Sequence, residues 1–267
     1  MRLLHYLRAF CGIGERELLR FLRQRERFVA ALVRPLIWLF VFAAGFRSAL
    51  GIAIIPPYET YILYEVYITP GLIGMIQLFN GMQSSLSMVY DREMGSMKTL
   101  LITPLPRWFL LTSKLLAGTS VSVLQVYTFL LIAWFYEIHA PLPGYLWLLP
   151  ALLISGLMLG SLGMLLSSFI KQLENFAGVM NFVIFPMFFM SSALYPLWKL
   201  KESSVLLYRI AQYNPFSQAV EFIRFALYGQ LNQYALVYTL ISLSVFLVLA
   251  IIGYKPSKGI MNRKGGG

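Results

Sequence analysis

The chain is poor in charged residues: only 12% of its 267 residues are Asp, Glu, Lys or Arg, whereas 58% are hydrophobic. Soluble domains average about 25% charged residues, so this chain has too few charges to cover a water-facing surface. The shortage excludes a single soluble domain of this length, and it also excludes a disordered chain. The remaining class is a multi-pass membrane protein, because each helical span needs roughly 20 apolar residues and the length accommodates six.

Residues that commonly carry catalysis are also scarce. Cys11 is the only cysteine, which excludes an intrachain disulfide and a cysteine-based metal cluster. The two histidines, His5 and His139, fall on opposite sides of the predicted membrane, and no pair of carboxylates falls inside a predicted span. No GxxxxGK[ST] phosphate loop occurs. We therefore expect no catalytic residues, no metal site and no cofactor bound by this chain.

Six apolar segments have the length of a membrane span. They are residues 29–46, 68–90, 115–136, 146–169, 176–195 and 234–254. The predicted fold class is thus an all-α membrane protein, with residues 29–254 forming a six-span transmembrane domain. Arg34 lies near the inner end of the first span, where its long side chain is expected to reach the lipid headgroups. Gly156 and Gly160 form a GxxxG pattern in the fourth span, which predicts a close helix–helix contact.

Basic residues are distributed unevenly between the two predicted sides of the membrane, although the net charge is +11 overall. Sixteen lie in residues 1–28, 91–114, 171–174 and the basic tail 255–267, and only five lie in the alternate connections. Cytoplasmic loops are enriched in Lys and Arg, so this asymmetry places both termini in the cytoplasm. The four basic residues in 196–233 are discordant with that orientation.

The first 28 residues contain seven arginines, and Arg16, Arg20, Arg23 and Arg27 fall on one helical stripe. This pattern predicts a cytoplasmic amphipathic helix lying in the membrane interface. An ordinary cytoplasmic flank that obeys the same charge bias is an equal alternative. A nucleic-acid-binding arm is disfavoured, because apolar residues interrupt the basic run and a span follows at once.

Polar residues recur in the second span, where Gln77, Asn80 and Ser84 follow helical spacing, and Asn181 lies inside the fifth span. Lipid penalises amide groups, so these faces are expected to meet protein or a wet path. Two readings stay open at this stage: the polar side chains hold helices together, or they contact a substrate.

Residues 91–107 read DREMGSMKTLLITPLPR, with a charged beginning, an apolar middle and two closing prolines. Asp91 near a helix start, followed by Lys98, predicts a short amphipathic helix between the second and third spans.

Residues 196–233 are too polar to span and too apolar for a plain loop. Asn214 and Pro215 predict a helix start and Gly229 its stop, with Glu221 and Arg224 as an i, i+3 pair. We expect an amphipathic or re-entrant helix at the outer membrane surface before the sixth span.

Three stretches together resemble the permease subunit of a type 2 ATP-binding-cassette exporter. They are YITPGLIGMIQLFNG at 67–81, DREMGSMKTLLITPLPRWFLLTSKLLAG at 91–118, and NPFSQAVEFIRFALYG at 214–229. The middle stretch is the most specific of the three. The resemblance covers nearly the whole chain and implies export of an amphiphilic substrate such as a drug, a lipid or a glycan-like molecule.

The resemblance also implies that the translocation path and the ATPase sites lie in different subunits. Two separate ATPase subunits would bind ATP and Mg. A second copy of this chain, or a sister permease, would enclose the translocation path together with it. The complex would lie among the lipids of a bacterial inner membrane and would bind no nucleic acid. The resemblance makes Gln77, Asn80, Ser84 and Asn181 candidates for that path. It makes residues 196–233 an outer, gate-like cap, whose basic residues would meet headgroups or an anionic cargo. This segment includes Asn214, Pro215, Glu221 and Arg224. The family's coupling helix, which docks on the ATPase, would include Asp91, Arg92, Glu93, Met94, Lys98 and Leu100.

One alternative of a different class is a non-transporting membrane scaffold or assembly factor, in which the polar stripes only join helices.

Overall fold

The computed structural model describes residues 3–23, 25–42, 45, 56–93, 106–170 and 172–253. Over these residues the chain is helical, with no β-strand, so the predicted all-α class is confirmed. A five-residue π-helical turn, Trp38–Phe42, continues the second helix. The helices are α1 (Leu3–Arg23), α2 (Arg25–Ile37), α3 (Tyr64–Glu93), α4 (Arg107–Phe135), α5 (Leu142–Phe169), α6 (Leu173–Phe189), α7 (Leu197–Ser203), α8 (Val205–Tyr213), α9 (Pro215–Leu227) and α10 (Gln233–Gly253).

Three of the described helices, α4, α5 and α10, are long and apolar enough to cross a membrane. Ala31–Val41 and Leu173–Phe189 are shorter apolar helices. The 30-residue helix α3 is about 45 Å long, which exceeds the hydrocarbon thickness, although polar residues interrupt its apolar surface. The number of spans and their orientation stay predictions.

Helix α5 lies at the centre of the bundle and packs against α3, α4, α9 and α10. Its glycines permit unusually close approach. A Cβ on Gly81 of α3 would lie 2.9 Å from the Gly160 Cα, and one on Gly160 would lie 2.6 Å from Leu115 Cδ1. The close contact predicted from the GxxxG pattern is therefore confirmed, because only residues without side chains let these backbones meet.

The N-terminal helix is attached to the bundle. The predicted helix over residues 1–28 is described as α1 to Arg23 and then α2 from Arg25, so the first apolar helix begins before residue 29. Tyr6 of α1 contacts Phe109 of α4 edge to face, with ring centroids 5.0 Å apart. Helix α1 thus lies against the first turn of α4.

Two predicted helix bounds are wrong. Helix α3 runs through Asp91, which does not begin a new helix, because no helix breaker separates Tyr90 from Glu93. Helix α4 begins at Arg107, directly after Pro106, and so extends eight residues beyond the predicted start of the third span. The fifth apolar helix ends at Phe189 rather than at residue 195, because a buried turn over residues 190–195 follows Pro186 and Phe189.

Residues 196–233 contain three helices, α7, α8 and α9, rather than one. The Ser204 side chain caps α8 by accepting a hydrogen bond from the Leu207 amide, a local signal that separates α8 from α7. The start of α9 at Asn214 and Pro215 is confirmed. Gly229 follows the helix with a φ of 70°, which matches its predicted role as the stop.

Candidate functional site

Asn214 joins the beginning of α9 to the end of α6. Its Oδ1 accepts a hydrogen bond from the Phe216 amide at 3.0 Å, which is the N-cap expected from the sequence. Its Nδ2 donates to the carbonyl oxygens of Met187 and Met190, both at 2.8 Å. These carbonyls belong to the last turn of α6 and to the residue that caps it, where intrahelical donors are lacking. A single amide therefore caps two helices and fixes their relative position.

The turn over residues 190–195 is buried between α3 and α9. The Ser192 amide donates to Ser217 Oγ at 3.2 Å, and the Ser192 hydroxyl donates to the Ser217 carbonyl at 3.4 Å. On the other side, a Cβ on Gly71 would lie 2.4 Å from the Ala193 carbonyl oxygen. The turn thus fills the space between the two helices with almost no free volume.

Arg224 of α9 forms a buried cluster with Glu221, Tyr67 and Ser192, which we name the Arg224 cluster. The Arg224 Nη1 is paired with Glu221, and its Nη2 donates to the Ser192 carbonyl at 2.9 Å. The guanidinium carbon lies 4.1 Å from the centroid of the Tyr67 ring, whose hydroxyl also donates to the Ser192 carbonyl at 2.9 Å. Arg224 is only 2% exposed. The cluster therefore joins α9, α3 and the 190–195 turn by charge, hydrogen bonds and a cation–π contact.

Tyr58, in the connection before α3, covers this cluster. Its ring lies 4.8 Å from that of Tyr228 and 6.5 Å from that of Tyr67. Burial raises the pKa of the Tyr58 phenol, so its hydroxyl stays protonated at neutral pH. Within the described part of the chain, neither this hydroxyl nor the Arg224 Nε has a hydrogen-bond partner. Each is a buried donor that a water molecule could satisfy.

A second set of polar contacts joins α3 to α4 and α5. Gln77 Nε2 donates to the Leu152 carbonyl at 2.7 Å, and its Oε1 accepts from the Ser155 hydroxyl at 2.7 Å. Asn80 Nδ2 donates to Gln125 Oε1 on α4. In this chain the two predicted amides therefore make interhelical hydrogen bonds, of the kind that hold membrane helices together.

Ser84 lies on the same side of α3, beside a small cavity. The cavity has a volume of about 10 Å³, enough for about one water molecule. It is too small for an amphiphile in the conformation described. Its lining includes Gln77, Gly81, Ser84, Ser122, Gly156 and Gly160.

Asn181 is separate from these residues, because it lies on the exposed face of α6. The structure thus brings together three of the four residues predicted for a path and leaves the fourth apart. Their role in a path stays a prediction.

Arg34 lies beside the middle of α3. Its guanidinium carbon lies 3.8 Å from the centroid of the Phe79 ring on α3. Phe79 is 15 residues from Tyr64 and 14 from Glu93, so it lies at the middle of α3. The side chain therefore packs on an aromatic ring at mid-helix level, and its expected extension to the headgroups stays a prediction.

The burial of Arg224 corrects the expectation that the basic residues of the outer segment meet lipid headgroups. A side chain that is 2% exposed and paired with Glu221 does not reach lipid headgroups. The i, i+3 pair itself is confirmed.

The residues predicted to couple to an ATPase are only partly described. Asp91, Arg92 and Glu93 form the last described turn of α3, where the Glu93 side chain is exposed. Met94, Lys98 and Leu100 lie outside the described residues, as do the side chains of Asp91 and Arg92 and the tail 255–267. The predicted role of this segment is therefore untested.

Among the described residues, no three His, Cys, Asp or Glu side chains come together as metal ligands would.

Sequence reasoning missed the partners of the predicted polar residues. Tyr67, Ser192, Ser155 and Gln125 complete the two hydrogen-bonded sets, yet each lies at least 32 residues from the side chain it meets. For Gln125, the signal was an amide inside an apolar span, which is expected to find a polar partner. No comparable signal identified Tyr67 or Ser192.

These features define a class of protein: a helical membrane bundle in which α9 is joined to α3 and to the 190–195 turn, with no phosphate loop in the sequence. Residues 8–228 match the family model described as ABC-2 type transporter. The match covers most of the chain, so the chain belongs to the ABC-2 type transporter family. The protein is an integral membrane protein and an ABC transporter permease, and the family resemblance inferred from the sequence is confirmed.

Two of the relatives that the chain resembles are named as permeases. The chain is 28% identical over 220 residues to a protein of Porphyra purpurea named transport permease ycf38, covering 80% of this chain and 72% of that protein. It is 34% identical over 131 residues to a protein of Escherichia coli (strain K12) named multidrug ABC transporter permease YbhR, covering 48% and 35% respectively. It is also 22% identical over 246 residues to nodulation protein J of Rhizobium leguminosarum bv. viciae, covering 87% and 85%.

Proposed function

We propose that this chain is a six-span permease that exports an amphiphilic substrate from a bacterial cytoplasm, driven by ATP hydrolysis in two separate ATPase subunits. Two permeases, identical or paired with a sister chain, enclose the path, and ATP with Mg binds only in the ATPase subunits. Membership of the ABC-2 type transporter family over residues 8–228 carries this proposal. The given 267 residues contain no phosphate loop, which agrees with ATP hydrolysis in a separate subunit.

Helix α3 supplies the mechanical link in this proposal. It runs without interruption from Tyr67 in the Arg224 cluster to Asp91, the first residue predicted to contact the ATPase. These 24 residues span about 36 Å, roughly the thickness of a membrane. A displacement of the coupling end therefore reaches the Arg224 cluster through one continuous helix, rather than through a series of loops.

The Arg224 cluster determines which segments move when α3 is displaced. Because Arg224 and Ser192 connect α3 to α9 and to the 190–195 turn, these three parts move together. In the proposed orientation they form the outer cap over the path. ATP-driven movement of α3 would then open or close that cap, which is the conformational change that an exporter requires.

The proposed orientation makes a direct labelling prediction, because Cys11 is the only cysteine and is exposed. In intact spheroplasts, a membrane-impermeant maleimide should leave Cys11 unmodified until the membrane is permeabilised. In a Cys11→Ser background, Ser203→Cys on the exposed surface of α7 should be labelled at once, since residues 196–233 are expected outside.

Cys11→Ser without a new cysteine is the control and should not be labelled under either condition. Labelling of Cys11 in intact spheroplasts, or protection of Ser203→Cys until permeabilisation, would overturn the proposed orientation.

A further inference from the structure

Arg34 is a fixed positive charge at an unusual depth. Its contact residue Phe79 lies at the middle of α3, about 21–23 Å along the helix from either end. A second contact supports the same depth. Trp38, one turn after Arg34, packs its ring against Phe188 and Phe189 near the end of α6, with centroids 5.4 and 5.7 Å apart. Arg34 therefore lies inside the span region rather than at a membrane surface.

The Phe79 ring covers only one side of the Arg34 guanidinium. The side chain is otherwise exposed, and no carboxylate or hydrogen-bond acceptor meets it among the described residues. A guanidinium carries five N–H donors that point outward in its own plane. The Phe79 ring contacts the face of the guanidinium and accepts no hydrogen bond from these donors. Because a charge at this depth is costly in lipid, such residues generally face a partner group or a wet cavity.

Asn181 places a second polar group at nearly the same level. Helices α2 and α6 both pack on α3, and the contact of Trp38 with Phe188 aligns them. Arg34 is four residues before Trp38, and Asn181 is seven before Phe188. The two residues therefore differ in depth by only about 4.5 Å. Asn181 is exposed and, like Arg34, has no hydrogen bond within the described part of the chain.

Apolar side chains surround these two polar groups. Val33 and Ile37 on α2 and Phe182 and Phe185 on α6 are 43–79% exposed. A guanidinium and an amide flanked by exposed aliphatic and aromatic groups match a molecule that has one anionic group and an apolar body.

We propose that Arg34 binds the phosphate or carboxylate of an anionic amphiphile, with Asn181 as a further donor, and that this group defines the exported cargo. The inference rests on the proposed transport function and narrows its substrate class to anionic amphiphiles. Bidentate pairing with a phosphate or carboxylate satisfies the donors that the Phe79 ring leaves free.

The test compares two fluorescent probes with identical acyl chains: a phosphatidic acid and a diacylglycerol, each carrying the same dye on one chain. Both are titrated into nanodiscs that contain the permease with its ATPase subunits, without ATP. The wild-type complex should bind the phosphatidic acid at least about tenfold more tightly, as expected for charge-assisted hydrogen bonds out of water.

Arg34→Gln should abolish this preference, and Arg34→Lys should retain part of it, because lysine keeps the charge but loses the bidentate geometry. Arg8→Gln, at an exposed position on α1, is the matched control and should keep the full preference. If Arg34→Gln does not fold, the Lys variant alone still tests the geometric part of the proposal.

Three results would overturn the proposal. The first is equal binding of the two probes by the wild-type complex, or a preference of Arg34→Gln for phosphatidic acid that is as large as that of the wild type. The second is binding of the phosphatidic acid through Arg34 without stimulation of ATP hydrolysis, which would identify a bound structural lipid instead of cargo. The third is dissociation of permease dimers in Arg34→Gln with the preference retained, which would identify a carboxylate of the second copy as the partner.

Because binding is measured without ATP, failure of the transport function is seen separately, as absent ATP hydrolysis in the wild-type complex. Stimulation of hydrolysis by the phosphatidic acid and not by the diacylglycerol, lost in Arg34→Gln, is the supporting result.

Discussion

Arg224→Met is expected to lower the free energy of unfolding by about 3 kcal/mol and Tm by roughly 6–12 °C. The change removes the positive partner of Glu221, whose side chain is only 17% exposed, and leaves a carboxylate largely out of water. It also removes the hydrogen bond to the Ser192 carbonyl and the cation–π contact with Tyr67. Thermal unfolding of the purified protein in detergent measures the effect.

The double variant Glu221→Gln/Arg224→Met separates the cost of an unpaired charge from the loss of packing. It should recover a large part of the lost stability, because no buried charge then lacks a partner. Arg209→Met, which removes an exposed arginine from α8, should change Tm little. If Arg224→Met melts within 1–2 °C of the wild type, on the order of 0.5 kcal/mol, the cluster does not hold α9 to α3.

The second large effect is expected at the proposed coupling segment. Reversing the charges at Asp91, Arg92 and Glu93 together should reduce stimulation of the ATPase by at least about tenfold. Like charges placed across an interface repel, so the altered segment should no longer fit its groove in the ATPase. ATP hydrolysis by the reconstituted complex is the measurement.

The matched control is charge reversal at Lys201 and Glu202, which are exposed on α7 at the opposite side of the proposed bundle. This control should hydrolyse ATP at the wild-type rate. Wild-type stimulation by the triple variant, in protein that assembles normally, would show that another segment transmits the signal.

Local sequence signals predicted the short-range features of the candidate site. The start of α9 followed from Asn214 and Pro215, because an N-cap and a first-turn proline act within three residues. The pairing of Glu221 with Arg224 followed from one helical turn of spacing. The composition was sufficient for the all-α membrane class.

Contacts between residues that are far apart in the sequence could not be predicted from such local signals. Arg34 was expected at the headgroups because its depth was judged from distance to a predicted span end, whereas packing of α2 on α3 places it on Phe79. The 190–195 turn reads as apolar and was assigned to a span. Its burial between α3 and α9 depends on a glycine 122 residues away, Gly71, which permits Ala193 to approach.

The polar stripe illustrates the remaining ambiguity between packing and transport. Gln77 and Asn80 were correctly identified as groups that require polar partners, and the structure supplies Ser155 and Gln125. Spacing could not distinguish a helix contact from a path lining, since both place amides on one helical face.

Stimulation of ATP hydrolysis in proteoliposomes tests the central claim, that this permease works with a separate ATPase. The experiment compares the permease alone, the ATPase subunit alone, and both together, with a phosphate-loop lysine variant of the ATPase as control. We predict no hydrolysis by the permease alone, a rate with both proteins well above that of the ATPase alone, and no activity with the lysine variant. An ATPase rate that is the same with and without the permease would contradict the account and favour a non-transporting scaffold.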